Sequence, residues 1–124
     1  EIGVRLVGSE MCIRDRSGTA PGAAEVAELI GLADAISDAD IVITGEGSYD
    51  GQSGDGKVPS FIAGLAASAG AVALLAAGRI TADSDVSLFA ASASLTDIAG
   101  SPDAALAEPA RWLREAGALL ASSV

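Results

Sequence analysis

The sequence predicts an α/β protein in which helices pack on a short, apolar, parallel sheet. Stretches with apolar residues at helical spacing alternate with short runs of β-branched or aliphatic residues, which is the order expected of parallel strands joined by helices. The composition agrees, because half of the residues are hydrophobic whereas only two Phe, one Tyr and one Trp are present. Such a chain builds its core from small aliphatic side chains that let helices approach closely.

The first half of the chain contains a strand that passes directly into a loop. A β-branched run indicates the strand, and frequent glycines indicate the loop. Pro59 suits the first turn of the helix that follows, and Gly70 ends this helix. The predicted elements are one or two helices over residues 23–39, a strand over 40–44, a loop over 45–57 and a helix over 59–69.

The second half continues with two further strands and a C-terminal helix. Ser101 followed by Pro102 is typical of a helix N-terminus, and we expect Pro109 to kink or restart that helix. Residues 58–78 carry no charge and match a membrane span in length, but Gly70 divides them into a helix and a strand. The predicted elements are a strand over residues 71–76, a polar turn region over 78–85, a strand over 87–95 and a helix from 101 to about 122.

Composition and charge exclude several classes of function. The chain has 17 acidic and 7 basic residues, a net charge of −10, no histidine and one cysteine. Nucleic-acid binders need a basic surface, so this charge argues against them. The missing histidine removes Ser-His and Cys-His nucleophiles, and a single cysteine excludes a disulfide framework and cysteine zinc sites. Chemistry by carboxylates, Lys, Ser/Thr and backbone amides remains.

The first sixteen residues look foreign to the rest of the chain. Residues 6–16, LVGSEMCIRDR, resemble the conceptual translation of an adaptor used to prepare sequencing libraries. We therefore interpret residues 1–16 as a non-native segment, expect it to pack poorly, and take residues 17–124 as the natural part. A native β-hairpin is the alternative. Met11 and Cys12 lie in this segment, so Cys12 says nothing about the redox compartment.

The glycine-rich loop over residues 45–57 is the candidate functional site. A loop between a parallel strand and a helix is where α/β proteins bind ligands, and the amides of the helix N-terminus suit phosphate. Lys57 would neutralise phosphate charge at the start of this helix. The remaining candidates are Glu46, Asp50 and Asp55 as a general base or Mg²⁺ ligands, and Gln52 and Ser53 as partners of substrate hydroxyls.

Two other interpretations of this loop, as a plain turn or as a P-loop, remain open, and a third, the dinucleotide fingerprint, is discounted. Asp and Gly commonly form turns without any other role. Residues 51–57 fit the pattern of a nucleotide P-loop, but Val58 stands where the Mg²⁺-binding Ser or Thr belongs. Gly45 and Gly47 begin a dinucleotide fingerprint whose third glycine is replaced by Asp50.

Several stretches of the chain resemble the glycerate kinase family. The most distinctive is ADIVITGEGSYDGQSGDGK over residues 39–57. The others are PGAAEVAELIGL over 21–32, AAGRIT over 76–81 and the segment over 95–121. The resemblance implies an α/β fold whose parallel sheet is part of a glycerate kinase. It also implies that residues 17–124 are the C-terminal portion of a longer, two-domain enzyme whose active site lies in a cleft between the domains.

The resemblance also implies roles for individual residues. Asp50 would orient or deprotonate the attacking hydroxyl, or bind Mg²⁺, and Lys57 would contact a phosphate or the glycerate carboxylate. Glu46 is the alternative to Asp50 for either task and a possible Mg²⁺ ligand. Arg79 could reach the same rim, although arginines in such positions are more often solvated turn residues. The substrate- or phosphate-binding residues implied by the family signature are Gly45, Glu46, Gly47, Gln52, Ser53 and Gly56.

The function implied is phosphorylation of D-glycerate with ATP and Mg²⁺ by a cytoplasmic enzyme. The partners would be D-glycerate and ATP, with neither nucleic acid nor membrane. The alternative is a phosphate- or sugar-acid-binding α/β module that does not catalyse. The sequence leaves open whether 2- or 3-phosphoglycerate is formed and which carboxylate binds the metal.

Overall fold

The structure, a computed structural model, describes residues 4–7, 21–51 and 58–124. Among these residues, two helices lie between the first two strands and one between the second and third, the fourth strand follows the third without a helix, and three helices come after it. In chain order they are β1 (Val4–Val7), α1 (Pro21–Leu29), α2 (Leu32–Ser37), β2 (Ile41–Tyr49), α3 (Val58–Ala69), β3 (Val72–Ile80), β4 (Ala91–Ser94), α4 (Leu95–Ala99), α5 (Pro102–Ala107) and α6 (Pro109–Ala121).

The strands form one parallel sheet in the order β1-β2-β3-β4. β2 and β3 lie at its centre and are its longest strands, and Ile41 of β2 pairs with Val72 of β3. All carboxyl ends of parallel strands meet at one edge of a sheet, so residues that follow β2 and β3 become neighbours. The prediction of an α/β fold with a parallel sheet is confirmed.

Helices cover both faces of the sheet. Successive strand residues point to opposite faces, so each central strand contributes side chains to two cores. The first core contains Val42 and Leu75 from the strands and Ile62 from α3, together with buried residues of α1 and α2. The second core contains Ile41 and Leu74 from the same strands, packed against α4, α5 and α6. Burial on both faces explains why these strands are continuously apolar.

Glycines with positive φ follow α1 and α3, as was predicted for Gly70. Gly31 separates α1 from α2 with φ of +67°, so the predicted helical region of residues 23–39 consists of two helices. Gly70 follows α3 with φ of +76°. Residues 58–78 therefore hold a helix and most of a strand. In the described ranges of the chain, no helix is both long and apolar enough to cross a membrane.

The second half differs from the prediction at the last strand. β4 begins only at Ala91, and the remainder of the predicted strand of residues 87–95 is a turn before it and the start of α4 after it. Ser94 explains where the strand ends, because its hydroxyl caps α4 by accepting a hydrogen bond from the amide of Asp97. Pro109 restarts the C-terminal helix, as expected.

Two predicted loops are partly strand. The loop of residues 45–57 was expected to begin at Gly45, but β2 continues to Tyr49. The polar turn region was expected to begin at Gly78, but β3 continues to Ile80. Both expectations were wrong because glycine was taken to end the strands, whereas here it allows their backbones to lie close together.

The backbone of the first strand also departs from expectation. Residues 1–16 were expected to pack poorly, yet Val4–Val7 pair in parallel with residues 41–44 of β2. The edge of β2 offers unpaired amides and carbonyls, and any extended segment can satisfy them through its backbone alone. The foreign origin of the segment stays a prediction.

Candidate active site at the carboxyl ends of β2 and β3

The candidate site lies where the two central strands end side by side. Gly45, Glu46 and Gly47 belong to β2, and Asp50 follows its last residue. The register places Glu46 beside Ala77 of β3. The other predicted site residues, Gln52, Ser53, Asp55, Gly56 and Lys57, lie outside the described residues.

The glycines of this edge have different structural roles. A Cβ on Gly45 would overlap the carbonyl oxygen of Ala76, and one on Gly78 would lie 2.6 Å from the carbonyl oxygen of Gly47. Gly45 and Gly78 therefore allow the two strands to approach. A Cβ on Gly47 would meet nothing within 4 Å, so the space beside Gly47 is open. Gly45 and Gly47 are the predicted site glycines that the structure describes, and of these only Gly47 has open space at its Cβ position.

Two polar groups are buried in β2 near this edge. The side chain of Thr44 is fully buried, and its hydroxyl has no hydrogen-bond partner. The carboxylate of Glu46 has its Oε1 atom buried although the residue as a whole is partly exposed. Glu46 stands on a strand rather than on a loop, so the ladder with β3 fixes its backbone.

The turn that follows β3 fixes the end of β2. The amide of Thr81 and the hydroxyl of Ser84 both donate to the carbonyl oxygen of Tyr49, at 3.0 and 2.9 Å. The hydroxyl of Thr81 also donates to the carboxylate of Asp83. This carboxylate lies against Gly51, where a Cβ would collide with it. Asp50 is therefore bracketed by residues that the turn holds in place.

Tyr49 anchors the same region from inside the first core. Its side chain is buried, and its hydroxyl donates to the carbonyl oxygen of Asp85 at 3.0 Å. Its ring meets Phe89 edge to face, with 5.8 Å between the ring centroids. No role was expected for Tyr49 from the sequence, where the available signal was a single aromatic residue within a glycine-rich segment.

The chain after this turn is also ordered by local hydrogen bonds. The carboxylate of Asp85 accepts a hydrogen bond from the amide of Ser87 at 2.9 Å. Hydrogen bonds from Ser87 favour the charged form of Asp85 and hold its pKa below the ordinary value. The segment between β3 and β4 thus supports the site although it contains no helix.

Arg79 lies on β3 rather than in a solvated turn. Its neighbour across the strands is Ser48 of β2. Its guanidinium donates two hydrogen bonds to the hydroxyl oxygen of Ser48, from Nε at 3.2 Å and from Nη2 at 3.0 Å. An exposed cationic group therefore stands at the carboxyl-end edge of the sheet.

The donor set suits a hard cation more than a transition metal. The described site offers carboxylates at Glu46 and Asp50, and the chain has no histidine. Across residues 4–7, 21–51 and 58–124, no three metal-ligating side chains come together. Mg²⁺ commonly takes one or two carboxylates and completes its shell with phosphate and water, so these residues fit Mg²⁺ brought by a nucleotide.

Comparison with known proteins gives matches over most of the chain. Residues 8–124 match the family model described as the glycerate kinase family. An uncharacterized protein of Mycobacterium bovis is 38% identical over 95 residues, which are 74% of this chain and 25% of that protein. An uncharacterized protein of Mycobacterium tuberculosis matches with the same identity and coverage. The match spans about a quarter of the length of these curated relatives.

Proposed function

This chain belongs to the glycerate kinase family, and from that premise we propose that it supplies part of the active site of an enzyme that phosphorylates D-glycerate with ATP. The observation that supports the proposal most is the position of Gly45, Glu46, Gly47 and Asp50. The first three lie in the second half of β2, and Asp50 follows its last residue. This is the edge where open parallel sheets bind ligands. The described part of the site offers the carboxylates of Glu46 and Asp50, which suit a substrate hydroxyl or a hard cation.

The reaction moves a phosphoryl group and requires positioning and charge neutralisation. A hydroxyl oxygen of glycerate forms a bond to the γ-phosphorus of ATP while the bond from that phosphorus to the bridging oxygen breaks and ADP leaves. Asp50 orients the hydroxyl and accepts its proton. Lys57 binds the charged oxygens of a phosphate or of the glycerate carboxylate. Glu46 would hold Mg²⁺, and Mg²⁺ when bound neutralises phosphate charge.

The remaining contacts of the site follow from the family signature. Gln52 and Ser53 hydrogen-bond substrate, and the amides around Gly56 donate hydrogen bonds to phosphate oxygens at the start of α3. We propose that further walls of the site come from other parts of a longer polypeptide, since the match covers a quarter of its relatives. Because its substrates are ATP and a small organic acid, we place the enzyme in the cytoplasm.

The test is glycerate-dependent turnover in a full-length polypeptide that carries this region. ADP should be released from ATP only when D-glycerate is present, and ³¹P NMR of the product distinguishes 2- from 3-phosphoglycerate. Binding of ATP or D-glycerate without turnover would instead establish the alternative, a non-catalytic phosphate- or sugar-acid-binding module.

A further inference from the structure

The position of Arg79 has a consequence beyond the family signature. Arg79 is the second-last residue of β3, and its neighbour Ser48 lies two residues after Glu46 on β2. Its guanidinium is therefore attached to the rigid edge of the central strand pair and not to a loop. Groups held by strands keep their positions better than groups held by loops, which is what a binding contact requires.

The hydrogen-bonding capacity of Arg79 is only partly used. A guanidinium has five N–H donors, and the described residues accept two from Arg79, both at the hydroxyl oxygen of Ser48. The hydroxyl of Ser48 is neutral, so it does not balance the positive charge of Arg79. Within the described part of the chain, Arg79 forms no salt bridge, whereas Arg111 pairs with Glu108 at 3.2 Å. In a chain with a net charge of −10, a cation on the candidate site that has no anionic partner among residues 4–7, 21–51 and 58–124 is unusual.

The surroundings of Arg79 leave room for a ligand. Arg79 is itself exposed, and its hydrogen bonds to Ser48 lie at the surface, so a ligand can reach the guanidinium. Ser48 fixes the direction of the guanidinium, since two donors converge on one oxygen. A planar cation with a fixed direction and unused donors matches the two oxygens of a carboxylate or a phosphate.

We infer that Arg79 binds an oxyanion of the substrates, either the carboxylate of the organic acid or a phosphate of the nucleotide, and that Ser48 is its positioning residue. This inference rests on the proposed function for the identity of the ligands. A solvated arginine with no ligand is the competing interpretation, and it predicts that substitution of Arg79 changes no affinity.

The experiment measures the Kd of D-glycerate and of ATP separately, by calorimetry, on a full-length polypeptide that carries this region. Arg79→Gln keeps a group that can bond Ser48 but removes the charge. It should weaken one ligand about 10- to 100-fold, as expected for loss of a charged hydrogen bond, and leave the other within about twofold. Weakening of D-glycerate assigns the carboxylate, and weakening of ATP assigns the phosphate. Arg114→Gln removes an exposed arginine of α6 and should change neither Kd.

Two further variants keep the inference falsifiable if Arg79→Gln fails to fold. Arg79→Lys keeps the charge but loses the fork, and should weaken the same ligand by a smaller factor. Ser48→Ala should weaken that ligand about 2- to 10-fold, and Ser48→Thr should restore it.

The outcomes separate this inference from the proposed function. Unchanged Kd values in folded Arg79 variants would overturn it even if turnover is intact, and equal weakening of both ligands would reject a direct contact. A selective change in Kd without any turnover would support the oxyanion site while the proposed kinase activity fails. A wild-type polypeptide that binds neither ligand would overturn both.

Discussion

At the scale of single residues, the strongest predictions concern the end of β2 and its neighbour on β3. Asp50 was singled out from the sequence because it follows the signature glycines, and the structure adds the turn that fixes its neighbours Tyr49 and Gly51. Arg79 was undervalued because a charged residue after an apolar run is typical of a turn. Only the register with Ser48 reveals that it belongs to the strand.

Asp50 and Lys57 should matter far more for rate than Asp55. In a full-length polypeptide, Asp50→Asn and Lys57→Ala should each lower kcat about 10²- to 10³-fold, the typical cost of losing a group that stabilises the transition state. Asp55 lies between two glycines, where a turn former suffices, so Asp55→Asn should cost little. Turnover is compared after equal thermal midpoints have been established. An equal loss for Asp55→Asn would return Asp50 to the role of a turn residue.

Thr44 should be replaceable by an isosteric apolar residue with a gain in stability. Its buried hydroxyl has no hydrogen-bond partner, and such a group lowers stability by roughly 1 kcal/mol or more. Thr44→Val should raise the free energy of unfolding by about 1 kcal/mol, measured by urea denaturation of the 124-residue chain. A loss of stability would mean that the hydroxyl has a partner in solution.

At the scale of elements, the sequence located β2, α3 and β3 correctly but misplaced the strand ends. Glycine usually weakens a strand, so the rule that ended β2 before Gly45 was reasonable. It failed because Gly45 lies against the carbonyl of Ala76, a contact between strands that one strand's sequence does not reveal. The alternation of side chains between the two faces also fails along β2. Val42 and Tyr49 are seven positions apart and should point to opposite faces, yet both belong to the first core.

The two signature glycines of β2 should respond differently to the same substitution. Gly45→Ala places a Cβ on the Ala76 carbonyl, and backbone on both sides leaves little room to relax, so stability should fall by about 1–3 kcal/mol. Gly47→Ala meets open space and should change stability by less than about 1 kcal/mol. Urea denaturation of the two variants is the measurement, and each serves as the control for the other.

Measuring ligand binding by the Gly45→Ala and Gly47→Ala variants distinguishes a role in strand packing from a role in binding substrate. If the space at Gly47 admits substrate, Gly47→Ala should weaken D-glycerate or ATP in a full-length polypeptide despite its unchanged stability. Equal stability losses in Gly45→Ala and Gly47→Ala would contradict the different roles that the structure gives these glycines.

At the scale of the whole molecule, the α/β class and the parallel sheet were predictable because apolar runs and helical periodicities alternate along the chain. The pairing of β1 and the short α4 were not. β1 pairs through backbone groups that any sequence carries, and α4 begins where Ser94 caps a helix inside an alanine-rich run that also suits a strand. In the second core, the indole N–H of Trp112 donates to the carbonyl of Ala104 at 2.9 Å while the side chain packs on that core.

The molecule also carries apolar side chains that its own fold leaves uncovered. Leu29 and Ile30 at the end of α1 are 85% and 60% exposed, and Leu106 of α5 is 79% exposed. The match covers a quarter of the length of the curated relatives, and we propose that further polypeptide completes the site.

The 124-residue chain by itself should therefore lack kinase activity. Phosphoryl transfer requires groups on both sides of the substrate to clamp the nucleotide and exclude water, and the described chain supplies one edge of a sheet with Glu46, Asp50 and Arg79. Release of ADP from ATP with D-glycerate should not exceed that of a Lys57→Ala control of the same length. The Lys57→Ala chain is the matched control because it lacks one proposed phosphate contact but keeps every described element. Turnover above that control would mean that the edge formed by β2 and β3 is catalytically sufficient, and the proposal that other walls are needed would be wrong.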